Sequence, residues 1–285
     1  MIVVFGSINV DVVVPVPGLP RPGETVLGGD YALLPGGKGA NQALAARRAG
    51  AAVAMAGAVG EDGFAAVALD LLRRDGVDLA LVRTAERPTG CAAIMVGERG
   101  ENLIAVASGA NHAVTADQVP DSLLGPRTVL VCQMEVPVAE TAALLRRARR
   151  LGARTVLNLA PALPIALDDV DWVVANRDEA AGLGERAGLI VTLGGDGAMA
   201  YLPGGGRIAV PALPIDPVDT TGAGDTFVGV LAAALDAGGD IDTAMRRASA
   251  AAGLSCLGRG AQPAMPDRAA TDAAVLSLAR STRTR

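Results

Sequence analysis

Apolar residues along this chain follow two periods, and the switches between them outline a fold. Short β-type runs lie at residues 2–5, 52–59, 128–132, 155–159, 172–175 and 189–193, each bounded by glycine, proline or polar residues. Helical patterns separate several of them. Residues 60–76 place Phe64, Val67, Ala68, Leu71 and Leu72 on one helical face, and residues 137–151 carry an arginine-rich outer face. Further helices are expected at 223–237, 242–257 and 269–279. From residue 128 onward strand and helix alternate regularly, which predicts an α/β domain around a mostly parallel sheet. Two pairs of shorter runs, 12–16 with 24–33 and 91–96 with 102–107, surround turns at 17–23 and 97–101. They predict a small β lid, from about 12–34 and 91–108, inserted in one domain over residues 1–285. Its apolar runs, 12–16 and 26–34, form the kind of edge that a second copy covers, so a homodimer through the lid is expected.

Composition narrows the partners. With 51% apolar residues the chain is neither disordered nor of low complexity. A net charge of −5 and only 2% aromatics argue against nucleic acid, which needs a basic face and stacking platforms. The three cysteines, Cys91, Cys132 and Cys256, lack CxxC spacing and read as small buried hydrophobes in a reducing compartment. No apolar run approaches 18 residues and no basic leader opens the chain, so no membrane role and a cytoplasmic location are expected.

Polar and glycine residues gather where the predicted strands end: Gln133-Met134-Glu135, Asn158-Leu159-Ala160-Pro161, Asn176-Arg177-Asp178-Glu179 and Gly194-Gly195-Asp196-Gly197. Open α/β sheets bind ligands along that edge. The densest stretch is Asp219-Thr220-Thr221-Gly222-Ala223-Gly224-Asp225-Thr226-Phe227, between an apolar run at 210–215 and a small-residue helix. Strand, glycine turn and helix start together make an anion cradle, with Gly222, Ala223 and Gly224 as first-turn amide donors. Asp225 stands where that cradle opens. A first-turn acid can simply stabilise a helix terminus. Beside an anion site, however, it is repelled by the ligand, which favours a proton-handling role near a phosphate. Upstream, Asn9 and Asp11 alternate on an extended backbone and face the same way, suiting adjacent sugar hydroxyls or merely closing a strand. Residues 35–42 (PGGKGANQ) open a helix that runs to about 49, and Lys38 and Asn41 can donate to a ligand there. Neither a Walker A loop nor a complete GxGxxG fingerprint is present, which argues against a dinucleotide-dependent dehydrogenase. Lys38 is the only lysine, and there are six asparagines: Asn9, Asn41, Asn102, Asn111, Asn158 and Asn176. Where composition disfavours a residue, the positions that keep it tend to need its chemistry.

GSINVD at 6–11, GGKGANQA at 36–43 and DTTGAGDTF at 219–227 resemble the ribokinase branch of the PfkB sugar-kinase family. Gly109-Ala110-Asn111, Gln133-Met134-Glu135 and Gly260-Ala261-Gln262-Pro263 support the resemblance, which covers nearly the whole chain. It implies a three-layer α/β/α sandwich with a β lid, and ATP-dependent phosphorylation of the 5-hydroxyl of D-ribose. By the same resemblance Asn9, Asp11, Gly37, Lys38, Asn41 and Glu135 would line the sugar pocket. Asp225 would take the hydroxyl proton, and Gly222, Ala223 and Gly224 would form the anion hole. Asn176, Thr192, Gly194, Gly195, Asp196, Gly197, Gly224 and Ser249 would hold ATP, with Glu179 acting on magnesium through water. Asp219, the Thr221 carbonyl and carbonyls near Ser255, Gly258 and Gly260 would bind a monovalent cation such as potassium.

Three positions depart from the pattern. Ala264 stands where a serine hydroxyl often joins the cation site, and Ser249 where histidine or asparagine often meets the nucleotide. Between 176 and 192 only about a dozen residues join two parallel strands, near the minimum for a crossover, so a nucleotide-side helix is expected to be missing or vestigial. The alternatives are a kinase for another pentose, a ketose or a nucleoside, or a sugar binder with a degenerate nucleotide site. Few aromatics disfavour a nucleoside, and the retained Asp225 with its cradle disfavours a pure binder.

Overall fold

The computed structural model describes residues 1–281. Its first half runs β1 (Ile2–Phe5), β2 (Asn9–Val16), β3 (Ala32–Gly36), α1 (Lys38–Arg48), β4 (Val53–Gly60), α2 (Gly63–Arg74), β5 (Asp78–Ala85), β6 (Gly90–Gly97) and β7 (Asn102–Ala107). Short 3-10 turns lead on to β8 (Val129–Cys132), α3 (Val138–Arg150), β9 (Arg154–Asn158), β10 (Trp172–Asn176), β11 (Leu189–Thr192), β12 (Ala198–Tyr201) and β13 (Arg207–Val210). The chain then folds into α4 (Ala223–Asp236), α5 (Ile241–Ser255), the short α6 (Ala261–Ala264) and α7 (Arg268–Ser281).

Nine strands form the main sheet in the order β13-β12-β11-β10-β9-β8-β1-β4-β5. It is parallel from β11 to β5, and β12 and β13 add an antiparallel edge. Successive strand side chains point to opposite faces. Val4, Val131 and Ile190 therefore pack with α1, α4 and α5, while Phe5, Leu130 and Val173 pack with α3. That is the α/β/α sandwich, with one layer richer in helices than the other. The second sheet, β3-β2-β6-β7, is the lid.

One close helix crossing prepares the site. A Cβ at Gly229 would stand 2.5 Å from the Gln42 carbonyl oxygen and 2.7 Å from Ala45 Cβ, so α4 touches α1 backbone to backbone there. Asp225, one turn earlier on the same face of α4, is thereby brought against the start of α1.

Several expectations shift. Residues 210–215 are not a strand: β13 stops at Val210, and Pro211, Pro214 and Pro217 lack the N–H groups a ladder needs. The cradle is thus preceded by an irregular span. In the lid, residues 24–31 are irregular and only Ala32–Gly36 pairs with β2. Gly60 ends β4, and α2 begins at Gly63 behind Asp62, whose side chain caps it by accepting from the Ala65 N–H. Strands β5, β12 and β13 go beyond those expected. Between β10 and β11 residues 177–188 form turns with no helix, as the short crossover implies.

Candidate active site

Gly222 caps α4 at φ 75°, a left-handed geometry that glycine adopts without strain. Its carbonyl accepts both the Thr226 N–H at 2.8 Å and the Thr226 hydroxyl at 2.9 Å. The Ala223 N–H donates to Thr220 O at 3.2 Å, which corrects its expected role as an anion-hole donor. The tight turn at 220–223 closes on that amide. Gly222, Gly224 and Asp225 keep amides with no acceptor among the described residues. Three free donors at a helix N-terminus remain, one residue displaced from expectation.

Asp225 is 7% exposed and is gripped through both oxygens. Asn41 Nδ2 donates to Oδ2 and Gln42 Nε2 to Oδ1, each at 2.9 Å. Behind them the amides continue: Gln262 Nε2 donates to Asn41 Oδ1 at 3.1 Å, and Gln133 Nε2 to Gln42 Oε1 at 2.6 Å. Gln42 Nε2 also reaches Asn158 Oδ1 at 3.0 Å. Five amide side chains from four segments of chain thus fix one carboxylate, and each oxygen retains a lone pair for a proton. The Asp225 charge holds the Lys38 ammonium above its ordinary pKa, against the opposing effect of burial, with Glu135 and Glu179 adding to it. Gln42, Gln133, Gln262 and Asn158 are the functional residues that sequence reasoning left without a role.

Towards the lid, Asn9 Oδ1 accepts from Asn111 Nδ2 at 2.7 Å, and the Asn9 amide hydrogens meet no acceptor among the described residues. Asn111 is itself fixed by the Ile8 N–H at 2.9 Å. Asp11 lies against Gly36, where a Cβ would come within 2.4 Å of its carboxylate. Burial pushes the Asp11 carboxyl up to about 6, with Glu135 and Asp225 adding repulsion. One Glu135 oxygen accepts from Ser7 Oγ at 2.5 Å and the Lys38 N–H at 3.2 Å, tying the start of α1 to β1. Its other oxygen makes no hydrogen bond among the described residues. Gly37 is the N-cap of α1, at φ 88°.

Two cavities meet at Thr192 and Gly224, and the smaller reaches this carboxylate. The smaller, about 150 Å3, is lined by Lys38, Asn158, Asn176, Glu179, Gly222 and Asp225 among others. The larger, about 320 Å3, includes Gly194, Gly195, Gly197, Leu213, Phe227 and Ser249. Thr192 and Gly224 line both. Asn176 and Glu179 brace each other through reciprocal side-chain to main-chain bonds of 2.8 Å, so a turn holds what a helix start would otherwise present. Asp196 departs from expectation: it lines neither cavity, and its exposed carboxylate pairs with Arg177 at 2.6 Å.

Three of the residues expected at a cation site, Asp219, Thr221 and Gly260, are linked by hydrogen bonds. Asp219 accepts the Thr221 N–H at 2.9 Å and the Gly260 N–H at 2.8 Å. Burial opposes ionisation, but these bonds and the Thr221 hydroxyl hold the Asp219 carboxyl below its ordinary value. The carbonyls of Thr221, Ser255, Gly258 and Gly260 accept no N–H among the described residues. An all-oxygen set of this kind fits a hard cation. The Ser255 hydroxyl is turned back to Ala252 O at 2.8 Å, and Ala264 packs on Gly258 without contributing a ligand.

The comparisons agree with this geometry. The model for the pfkB family carbohydrate kinases matches residues 1–268. A ribokinase of Bacillus subtilis is 36% identical over 94% of this chain and 96% of its own length. A deoxyribokinase of Salmonella typhi is 30% identical over 93% and 95%. The structure of Arabidopsis thaliana ribokinase complexed with ribose and ATP superposes with a TM-score of 0.88 at 30% identity, covering 96% of this chain and 98% of that one. With its sandwich, lid and helix-start carboxylate all in place, this chain belongs to the pfkB family of carbohydrate kinases.

Proposed function

We propose that this protein transfers the γ-phosphoryl group of ATP to the 5-hydroxyl of D-ribose, giving ribose 5-phosphate and ADP. The observation that carries the reading is Asp225, a buried carboxylate oriented through both oxygens beside three free helix-start amides. A hydroxyl seated against it gives its proton to a remaining carboxylate lone pair as its oxygen bonds to phosphorus, and the bond to ADP breaks. The phosphoryl oxygens meet the amides of Gly222, Gly224 and Asp225 and the positive end of α4. Positioning and electrostatics of this kind supply most of the catalysis in phosphoryl transfer.

Asn9, Asp11, Gly37, Lys38, Asn41 and Glu135 hold the sugar beneath the lid. The base occupies the larger cavity beside Thr192, Gly194, Gly195, Gly197 and Ser249, with the phosphates running past Gly224. Among the described residues no group of three or more His, Cys, Asp or Glu gathers for a metal. Glu179 would reach magnesium bound to the ATP phosphates through water, and the ion would neutralise phosphate charge there. Asp219 and the carbonyls of Thr221, Ser255, Gly258 and Gly260 would hold potassium, which would supply positive charge beside the cradle loop. Exposed Leu103, Ile104 and Val106 on β7 support a lid-to-lid homodimer. No helix among the described residues is long and apolar enough to cross a membrane, and the three free cysteines suit the cytoplasm.

ADP release measured with ribose, deoxyribose, fructose and adenosine tests the assignment. Ribose is expected to give the highest kcat/KM. The deoxyribokinase relative makes deoxyribose the chief competitor, and a preference for it of about tenfold or more would overturn the substrate. No ADP release with any sugar would overturn the kinase.

A further inference from the structure

The larger cavity, about 320 Å3, is walled by glycine, alanine and proline and by Leu213, Ile215 and Phe227. Only Thr192, Thr220, Ser249 and Cys256 bring polar side chains to it. Three of them turn their hydrogen to the main chain: Ser249 Oγ donates to Pro211 O at 2.7 Å, Cys256 Sγ to Ala252 O at 3.2 Å and Thr192 Oγ1 to Ala175 O at 3.4 Å. Thr220 is exposed in the cradle turn. No charged or amide side chain lines the space.

Adenine presents a 6-amino donor where guanine presents a 6-oxo acceptor. A pocket separates them strongly only by fixing a polar partner that one base satisfies and the other leaves unpaired. Here the Gly194 and Gly195 amides and the Gly195 carbonyl, without partners among the described residues, offer both polarities. On the reading that this cavity holds the donor base, we infer that the site does not select the purine, and that GTP and ITP replace ATP. With its proton committed to Pro211, Ser249 can only accept a bond from the 6-amino group. A single neutral hydrogen bond limits the preference for ATP to about tenfold.

The test is displacement of a fluorescent ADP analogue by ADP, GDP and IDP, with parallel initial rates for ATP, GTP and ITP at saturating ribose. Both ratios are expected to stay within about tenfold. A larger preference for ADP over GDP overturns the inference and leaves the kinase intact, whereas an analogue that does not bind sinks both. Ser249→Ala is expected to bring the displacement ratio within about threefold of unity; a ratio still at tenfold or more overturns the assignment.

Discussion

On one side of Gly224, amides from four segments hold one carboxylate. On the other, a cavity of about twice the volume is walled by small and apolar residues, with the Thr192 and Ser249 hydroxyl protons turned away. The contrast follows from what each side does. Proton removal and in-line attack require placement to a fraction of an ångström. A buried network of linked amides supplies it, because loss of a donor or acceptor leaves its partner unpaired at a cost of about 1–3 kcal/mol. Holding a purine requires volume and apolar surface, which tolerate change. The polar side is therefore expected to be brittle and the base side permissive.

The sharpest break in that contrast is Asp225→Asn, expected to lower kcat for ADP release by roughly two to four orders of magnitude. Gln42→Leu comes next. It keeps the side-chain volume but removes the donor to Asp225 Oδ1 and orphans Gln133 and Asn158, so kcat should fall about 10–100-fold with the ribose KM little changed. An effect on KM alone would show that Gln42 shapes the sugar pocket rather than the base.

Asp11 supplies a third test, with opposite signs for stability and binding. Its folded pKa is raised from 3.8 to about 6. Folding is therefore unpenalised below pH about 4, loses stability as pH rises to about 6, and above that carries a constant cost of up to about 3 kcal/mol. Asp11→Asn should raise Tm near pH 7.5, with the gain fading towards pH 4, while the ribose KM rises about tenfold. A thermal scan with no pH-dependent gain contradicts this. Smallest of all is Asp196→Ala on the base side. Exposed ion pairs contribute about 0–1 kcal/mol, so the KM for ATP should move less than about threefold.

Legibility in the sequence followed burial. Strands covered on both faces, such as β1, β4 and β8, read as unbroken apolar runs. The edge strand β5 mixes exposed and half-buried positions and is set by its neighbour rather than by its own pattern. In the site, Asn9, Asp11, Lys38, Asn41 and Asp225 stood out because glycines or rarity marked them. Gln42, Gln133 and Gln262 lay inside quoted motifs, yet their roles arise from partners 91 to 221 residues away. Ala223 was misjudged because a turn bond to Thr220 depends on local dihedral angles that residue type does not specify.

Calorimetric titration of ribose into Asp225→Asn, run beside the same variant's ADP-release assay, tests the central claim most directly. The account predicts ribose affinity within about threefold of the unaltered protein together with near-complete loss of turnover. Turnover close to that of the unaltered protein would contradict it.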